Sequence, residues 1–133
     1  MSRHVKRRFG ISIPSNIAER LDNLAELLHC DRSTIVSNAL NEYIHENLHG
    51  EKEHECRGVI VAYTSASPPP NLFSKYTDVV SAYSLYKVRD GFIMVLVVEG
   101  SSRLINELRT RISSHASVQR YMPLDTSYSQ GEG

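Results

Sequence analysis

The sequence predicts an α+β chain in two parts: a βαα head over residues 7–49 and a βαββαβ domain over residues 57–133, joined by a hinge at 50–56. Three observations lead there. Phe9, Ile11 and Ile13 alternate with Arg8, Gly10 and Ser12, which is the period of a half-buried strand. Two stretches with apolar residues at helical spacing follow. After residue 57 the pattern changes to strand-like runs punctuated by turn residues, with two further helical stretches.

In the head, Pro14 ends the strand because it has no N–H to donate. The next strand-like run is more than forty residues away, so this strand has no partner nearby in sequence. A lone strand exposes its backbone hydrogen-bonding groups. Pairing with the same strand of a second copy satisfies them and makes a two-stranded antiparallel ribbon, an element that fits the major groove of B-DNA. A first helix is predicted from Asn16 to His29, capped by Ser15, with Ile17, Leu21, Leu24 and Leu28 on one face. A second starts at Asp31-Arg32-Ser33, with Asp31 or Ser33 as cap and Ile35, Ala39, Tyr43 and Ile44 as its buried face, and fades between Asn47 and Gly50.

In the second part, Gly58–Tyr63 reads as a strand, Ser67-Pro68-Pro69-Pro70 as a loop, and Asn71–Tyr76 as a short helix. Val79–Val88 is a second strand with Tyr83 and Leu85 on one face. Asp90-Gly91 suits a tight hairpin turn. Phe92–Val98 is apolar enough for a central strand. Gly100-Ser101-Ser102 opens a helix with Leu104, Ile105, Leu108 and Ile112 at core spacing, and Val118–Leu124 is the last strand. Asp125 to Gly133, polar and small, is expected to be loose. The order β-α-β-β-α-β is a split βαβ domain whose sheet edges invite pairing with another subunit.

Composition narrows the function classes. Formal net charge over the 133 residues is zero, yet Arg3, Lys6, Arg7 and Arg8 crowd the first fourteen residues, which hold no acid. A local anionic partner or a merely solubilising arm both fit that asymmetry. No apolar run reaches the ~18 residues of a membrane span, and the start lacks the apolar core of a signal peptide. Two cysteines, Cys30 and Cys56, make no disulfide framework, so a cytoplasmic protein with reduced thiols is expected. No phosphate loop, nucleophile motif or His-x-x-Glu-His helix is present, so no enzyme activity is expected.

Strand, helix, turn and helix headed by basic residues resemble the ribbon-helix-helix DNA-binding fold over residues 7–48. That resemblance implies base reading by Arg8, Gly10 and Ser12, and phosphate binding by the second helix's N-terminus at Ser33, helped by Arg32. Lys6 and Arg7 add positive charge beside the ribbon. Free N–H groups and the helix dipole favour an anion at such an end. Arg8 can make a bidentate contact to guanine and Ser12 a less selective one, whereas Gly10 has no side chain to offer. A dimerisation module without a DNA role is the plainer alternative.

Residues 45–56, at and just before the hinge, hold three of the six histidines and one of the two cysteines. His45 and His49 share a face if the helix still runs there. His54 and Cys56 lie on one side of an extended segment. Imidazole, thiolate and carboxylate are transition-metal ligands, but the spacing matches no well-known motif, and a solvated linker is the alternative.

Over about residues 7–124 the chain resembles the nickel-responsive transcriptional repressors. The resemblance implies double-stranded DNA as partner, a dimer through the N-terminal strands, and a dimer of dimers through ACT-like sensory domains. Those repressors bind nickel through three histidines and a cysteine across a subunit interface. The corresponding places here are Ser74, Leu85, Lys87 and Ile93, none of them a nickel ligand. From Arg57 to Ser114 there is no histidine or cysteine at all. Nickel at that site is therefore not expected. Lys87 in its place suggests an anionic effector, or a pairing with Asp78 or Asp90. Three functions remain in play: a DNA-binding regulator with an unknown effector, a metal-responsive regulator using His45, His49, His54 and Cys56, and an antitoxin-like or scaffold oligomer.

Overall fold

A computed structural model gives the structure of the protein and describes residues 6–8, 10–47 and 52–125. Its elements are α1 (Ser15–Leu28), α2 (Arg32–Asn47), β1 (Glu55–Thr64), β2 (Val80–Val88), β3 (Gly91–Ser101), α3 (Ser102–Ser113) and β4 (Val118–Pro123). The architecture is α+β: two helices lead into a four-stranded antiparallel sheet of order β2-β3-β1-β4.

α1 and α2 follow the predicted spacing; the cap of α1 differs from the expected one, and that of α2 is Asp31, one of the two expected. Pro14, not Ser15, is the N-cap of α1, and its carbonyl accepts from Ile17 and Ala18 N–H at 3.0 Å. His29 ends α1 in the left-handed region at φ 55°, which lets Cys30 N–H reach back to Ala25 O at 3.1 Å. Asp31 caps α2, its Oδ1 accepting from Thr34 N–H at 2.9 Å. The expected buried faces are not covered within the chain. Ile17, Leu24 and Leu28 on α1, and Tyr43 and Ile44 on α2, are all exposed. α1 has no buried residue, and the buried residue of α2 is Glu46.

Residues 10–14 belong to no strand of this chain, and Ile11 is 66% exposed. A ladder needs a partner, and the described residues of this chain supply none here. Phe9 lies outside the described residues.

The sheet domain is closed on one face. Ile60, Met94, Leu96, Val98, Ile105, Leu108 and Ile112 are each 0% exposed and pack between the sheet and α3. The core spacing of α3 is as expected, and Ser101 caps it, accepting from Leu104 N–H at 3.3 Å. The short helix expected at Asn71–Tyr76 is instead a run of turns, with Leu72 N–H to Pro69 O at 3.2 Å, Ser74 N–H to Asn71 O at 3.2 Å and Tyr76 N–H to Phe73 O at 2.9 Å. Six residues after three prolines are too few to nucleate an α-helix, and burial of Leu72 and Tyr76 holds the turns instead. The second part is therefore β-β-β-α-β.

At the hairpin the two loop residues are Arg89 and Asp90, and Gly91 already pairs with Val88. Gly91 is required for closeness, because a Cβ there would meet Thr64 O and the Tyr63 ring. The opposite sheet face, with Val61, Val97, Tyr86 and Met122, is exposed except where the end of α2 lies over β4. β1 starts at Glu55, three residues earlier than expected, so Cys56 is strand and buried rather than hinge. Asp125 is likewise not loose. Leu124 N–H donates to Arg57 O at 2.7 Å, which carries the β4 pairing one step further and sets Asp125 beside the start of β1.

Candidate functional site

The residues singled out for DNA contact are exposed: Lys6, Arg7, Arg8, Gly10, Ser12, Arg32 and Ser33 all face solvent. Lys6 comes near enough to Asp31 to help hold that carboxyl below its usual range, behind the larger effect of the Thr34 hydrogen bonds. Asp31 takes up part of the anion-binding capacity of the start of α2, and Arg32 is paired with Asp22 at 3.4 Å. Ser33 and Arg32 are therefore a weaker phosphate seat than the sequence suggests.

The second concentration of chemistry lies where the end of α2, the entry to β1 and the exit of β4 meet. Of the four hinge residues singled out, His45, His54 and Cys56 come together here; His49 lies outside the described residues. Asp125 completes the group. Ligand atoms of His54, Cys56 and Asp125 all lie within 4.8 Å of one another. Cys56 Sγ is 3.2 Å from Asp125 Oδ1 and 3.0 Å from Tyr121 Oη. His45 Nε2 is 3.4 Å from Asp125 Oδ1, and His54 Nε2 is 3.4 Å from Asp125 Oδ2. The Asp125 side chain is only 6% exposed.

The orientation of His54 is set by the backbone. Its Nδ1 lies 2.8 Å from Lys52 O. A carbonyl can only accept, so Nδ1 carries a proton, and when the ring is neutral Nε2 presents its lone pair to Asp125. His54 N–H donates to Ser102 Oγ at 3.0 Å, and Ser102 N–H donates to His54 O at 2.8 Å, fixing this residue to the start of α3.

Burial pushes the Cys56 thiol up to about 12. Tyr121 is pushed up too, first by burial and then by its bond to Cys56. Burial alone would raise Asp125, but hydrogen bonds, led by that from Cys56 and including His45, bring it below the usual carboxylate range.

A charged clamp sits next to the cluster. Glu46 accepts from Arg120 Nε at 2.7 Å and Arg120 Nη2 at 2.8 Å, and from Tyr121 N–H at 3.1 Å. Arg109 Nη1 donates to Glu46 O at 2.9 Å, and the Arg109 Cζ atom lies 5.4 Å from the Tyr121 ring centroid. These contacts hold the last turn of α2 to the sheet, beside a cleft of about 690 Å³ between Ala39, Tyr43, Val59, Val61 and Met122.

Sequence reasoning missed Glu46, Arg109, Arg120, Tyr121 and Asp125. A signal for Asp125 was present: if the last strand lies beside the first and antiparallel, the residue after it falls next to Cys56. The places of the repressors' nickel site do not gather in this chain. Leu85 and Lys87 are on the α3 side of the sheet, Ile93 is on the other side, and Ser74 lies in the exposed turns. Lys87 is exposed, its ammonium 5.3 Å from the Phe92 ring centroid. Asp90, one of its expected partners, accepts instead from Tyr63 Oη, at 2.8 Å to its carbonyl and 3.2 Å to its carboxylate.

No helix among the described residues is long and apolar enough to cross a membrane. No protein-family model matches the chain, and no curated protein matches it significantly.

Proposed function

We propose that this protein is a non-enzymatic, sequence-specific DNA-binding transcriptional regulator of the cytoplasm. In this reading it is a homodimer of ribbon-helix-helix heads, assembled further through ACT-like sheet domains. One observation carries it: residues 10–14 join no strand of their own chain, and α1 and α2 bury no apolar residue. A second copy would pair the strand and cover Ile17, Leu24, Leu28 and Ile44 at once. The ribbon so formed would present Arg8 and Ser12 to base edges, with Lys6 and Arg7 on phosphates. The nickel places of the similar repressors, at Ser74, Leu85, Lys87 and Ile93, would stay metal-free.

Gel-shift titration against an oligonucleotide selected from a random pool tests this. Arg8→Ala is expected to cost roughly 1–3 kcal/mol on the selected site, because it removes a bidentate guanine contact. Lys6→Ala is expected to weaken all duplexes alike and lower the salt slope by about one. Absence of salt-sensitive binding to any duplex would sink the proposal, as would a chain that sediments as a monomer at micromolar concentration.

A further inference from the structure

The cluster at the entry to β1 has a donor set and a geometry that call for a cation. His54 Nε2 and Asp125 Oδ2 face each other at 3.4 Å, and both atoms are shut off from solvent. The Lys52 carbonyl keeps a proton on His54 Nδ1, so in the neutral ring the atom facing Asp125 is an acceptor. Two acceptors at that distance repel unless a proton or a metal ion lies between them. A histidine whose Nδ1–H is held by a backbone carbonyl while Nε2 points at other donor groups is the usual outer-sphere arrangement of a metal-binding imidazole.

We propose that His54, Cys56 and Asp125 are the ligands of a divalent transition-metal site of the zinc class. His45 orients the Asp125 carboxylate as a positioning residue, and a fourth coordination position is left for a further donor. Zinc bonds of about 2.0–2.3 Å in a tetrahedron put neighbouring donor atoms roughly 3.3–3.8 Å apart. Cys56 Sγ is 3.2 Å from one Asp125 oxygen and His54 Nε2 is 3.4 Å from the other, and one ligand atom from each residue fits within 4.8 Å, so small side-chain rotations close the set. One nitrogen, one sulfur and one oxygen suit Zn(II) or Co(II). Magnesium and calcium take oxygen donors, and Cu(I) prefers sulfur-rich sites. Binding would replace the Cys56 S–H bond by a metal–sulfur bond and release that proton to solvent.

The site touches all three segments that meet at the junction. A metal here would tie the entry of β1 to the exit of β4 and, through His45, to the last turn of α2. Occupancy would therefore bias how the head is held against the sheet. This regulatory consequence rests on the DNA-binding proposal; the metal site itself does not.

The test uses the full chain, free of any histidine tag and stripped with chelator, titrated with Co(II) and followed by absorption. The expected result is saturation near one cobalt per chain, with a thiolate-to-cobalt charge-transfer band that Zn(II) abolishes. Cys56→Ser is expected to remove that band. His54→Ala and Asp125→Asn are expected to lower affinity by more than a hundredfold, and His45→Ala by roughly 10–100-fold. His115→Ala, at the far end of α3, is expected to change nothing. If a variant melts before titration, X-ray absorption at the zinc edge of the wild type reads the donors directly, and a shell without sulfur overturns the site. A folded wild type with no charge-transfer band also overturns it. Charge transfer that survives Cys56→Ser would be equally fatal. Gel shifts with and without zinc separate the two proposals: a zinc–thiolate site in a chain that binds no duplex ends the regulator reading and leaves the site standing.

Discussion

The two halves of this chain treat apolar surface in opposite ways. Behind the sheet, seven apolar side chains from β1, β3 and α3 are fully enclosed by their own chain. In α1 and α2 an equally regular apolar face is left in solvent, with Leu27 74% and Leu28 55% exposed. Both halves have the helical spacing that signals a buried stripe, so spacing reports that a face will be covered, not by what. The sheet domain covers its stripe because β3 runs straight into α3 and α3 returns to β4 after a short turn, which folds the helix back over the strands. The head has two helices and an extended segment that joins no strand among the described residues, too little to enclose anything. In the proposed dimer its stability is tied to association, so it should depend on protein concentration where that of the sheet domain does not.

The largest effect expected is in the closed half. Leu108→Ala should destabilise the sheet domain by about 2–5 kcal/mol, because it leaves a cavity in a close-packed core. Denaturant unfolding followed by tyrosine fluorescence reads this, with the same loss at every protein concentration. A loss under about 1 kcal/mol would mean that the core is not close-packed around Leu108.

A smaller effect is expected where the halves touch. Glu46→Ala should cost about 1–3 kcal/mol, since it leaves Tyr121 N–H buried without its acceptor and releases the end of α2 from the sheet. The same contact predicts an acid dependence. The Arg120 hydrogen bonds hold the Glu46 carboxyl below its usual range. A depressed folded pKa gives stability that is fully present above the unfolded value of about 4.3 and is lost as pH falls through the folded value. The wild type should therefore lose more stability below about pH 4 than Glu46→Gln does. Parallel curves for the two proteins would remove Glu46 as the acid-sensitive link.

The smallest effect on a single chain is expected in the head. Leu24→Ala should leave the unfolding of the sheet domain unchanged within about 0.5 kcal/mol. It should instead move the midpoint of head melting to higher protein concentration, as read by circular dichroism at several dilutions. A loss that does not depend on concentration would show that the head has a core of its own, and the contrast between the halves would fail.

Much of this protein is legible in local sequence pattern alone. The spacing of Ile105, Leu108 and Ile112 fixes the buried side of α3. An apolar run marks β1, alternate faces mark β2, and the Asp31 cap marks the start of α2, because each depends on neighbours within a turn or a strand. The same pattern misplaced the Asn71–Tyr76 segment, where burial of two anchors replaced a helix too short to nucleate. It also left Asp125 as a loose tail. Cys56 and Asp125 are 69 positions apart, and only the β1–β4 register brings them together. The clustered histidines and Cys56 could be read as potential ligands from their types and spacing. Which of them converge, and that a carboxylate from the other end of the chain joins them, was decided by strand order, because pairing of distant segments depends on the whole sheet closing over its core.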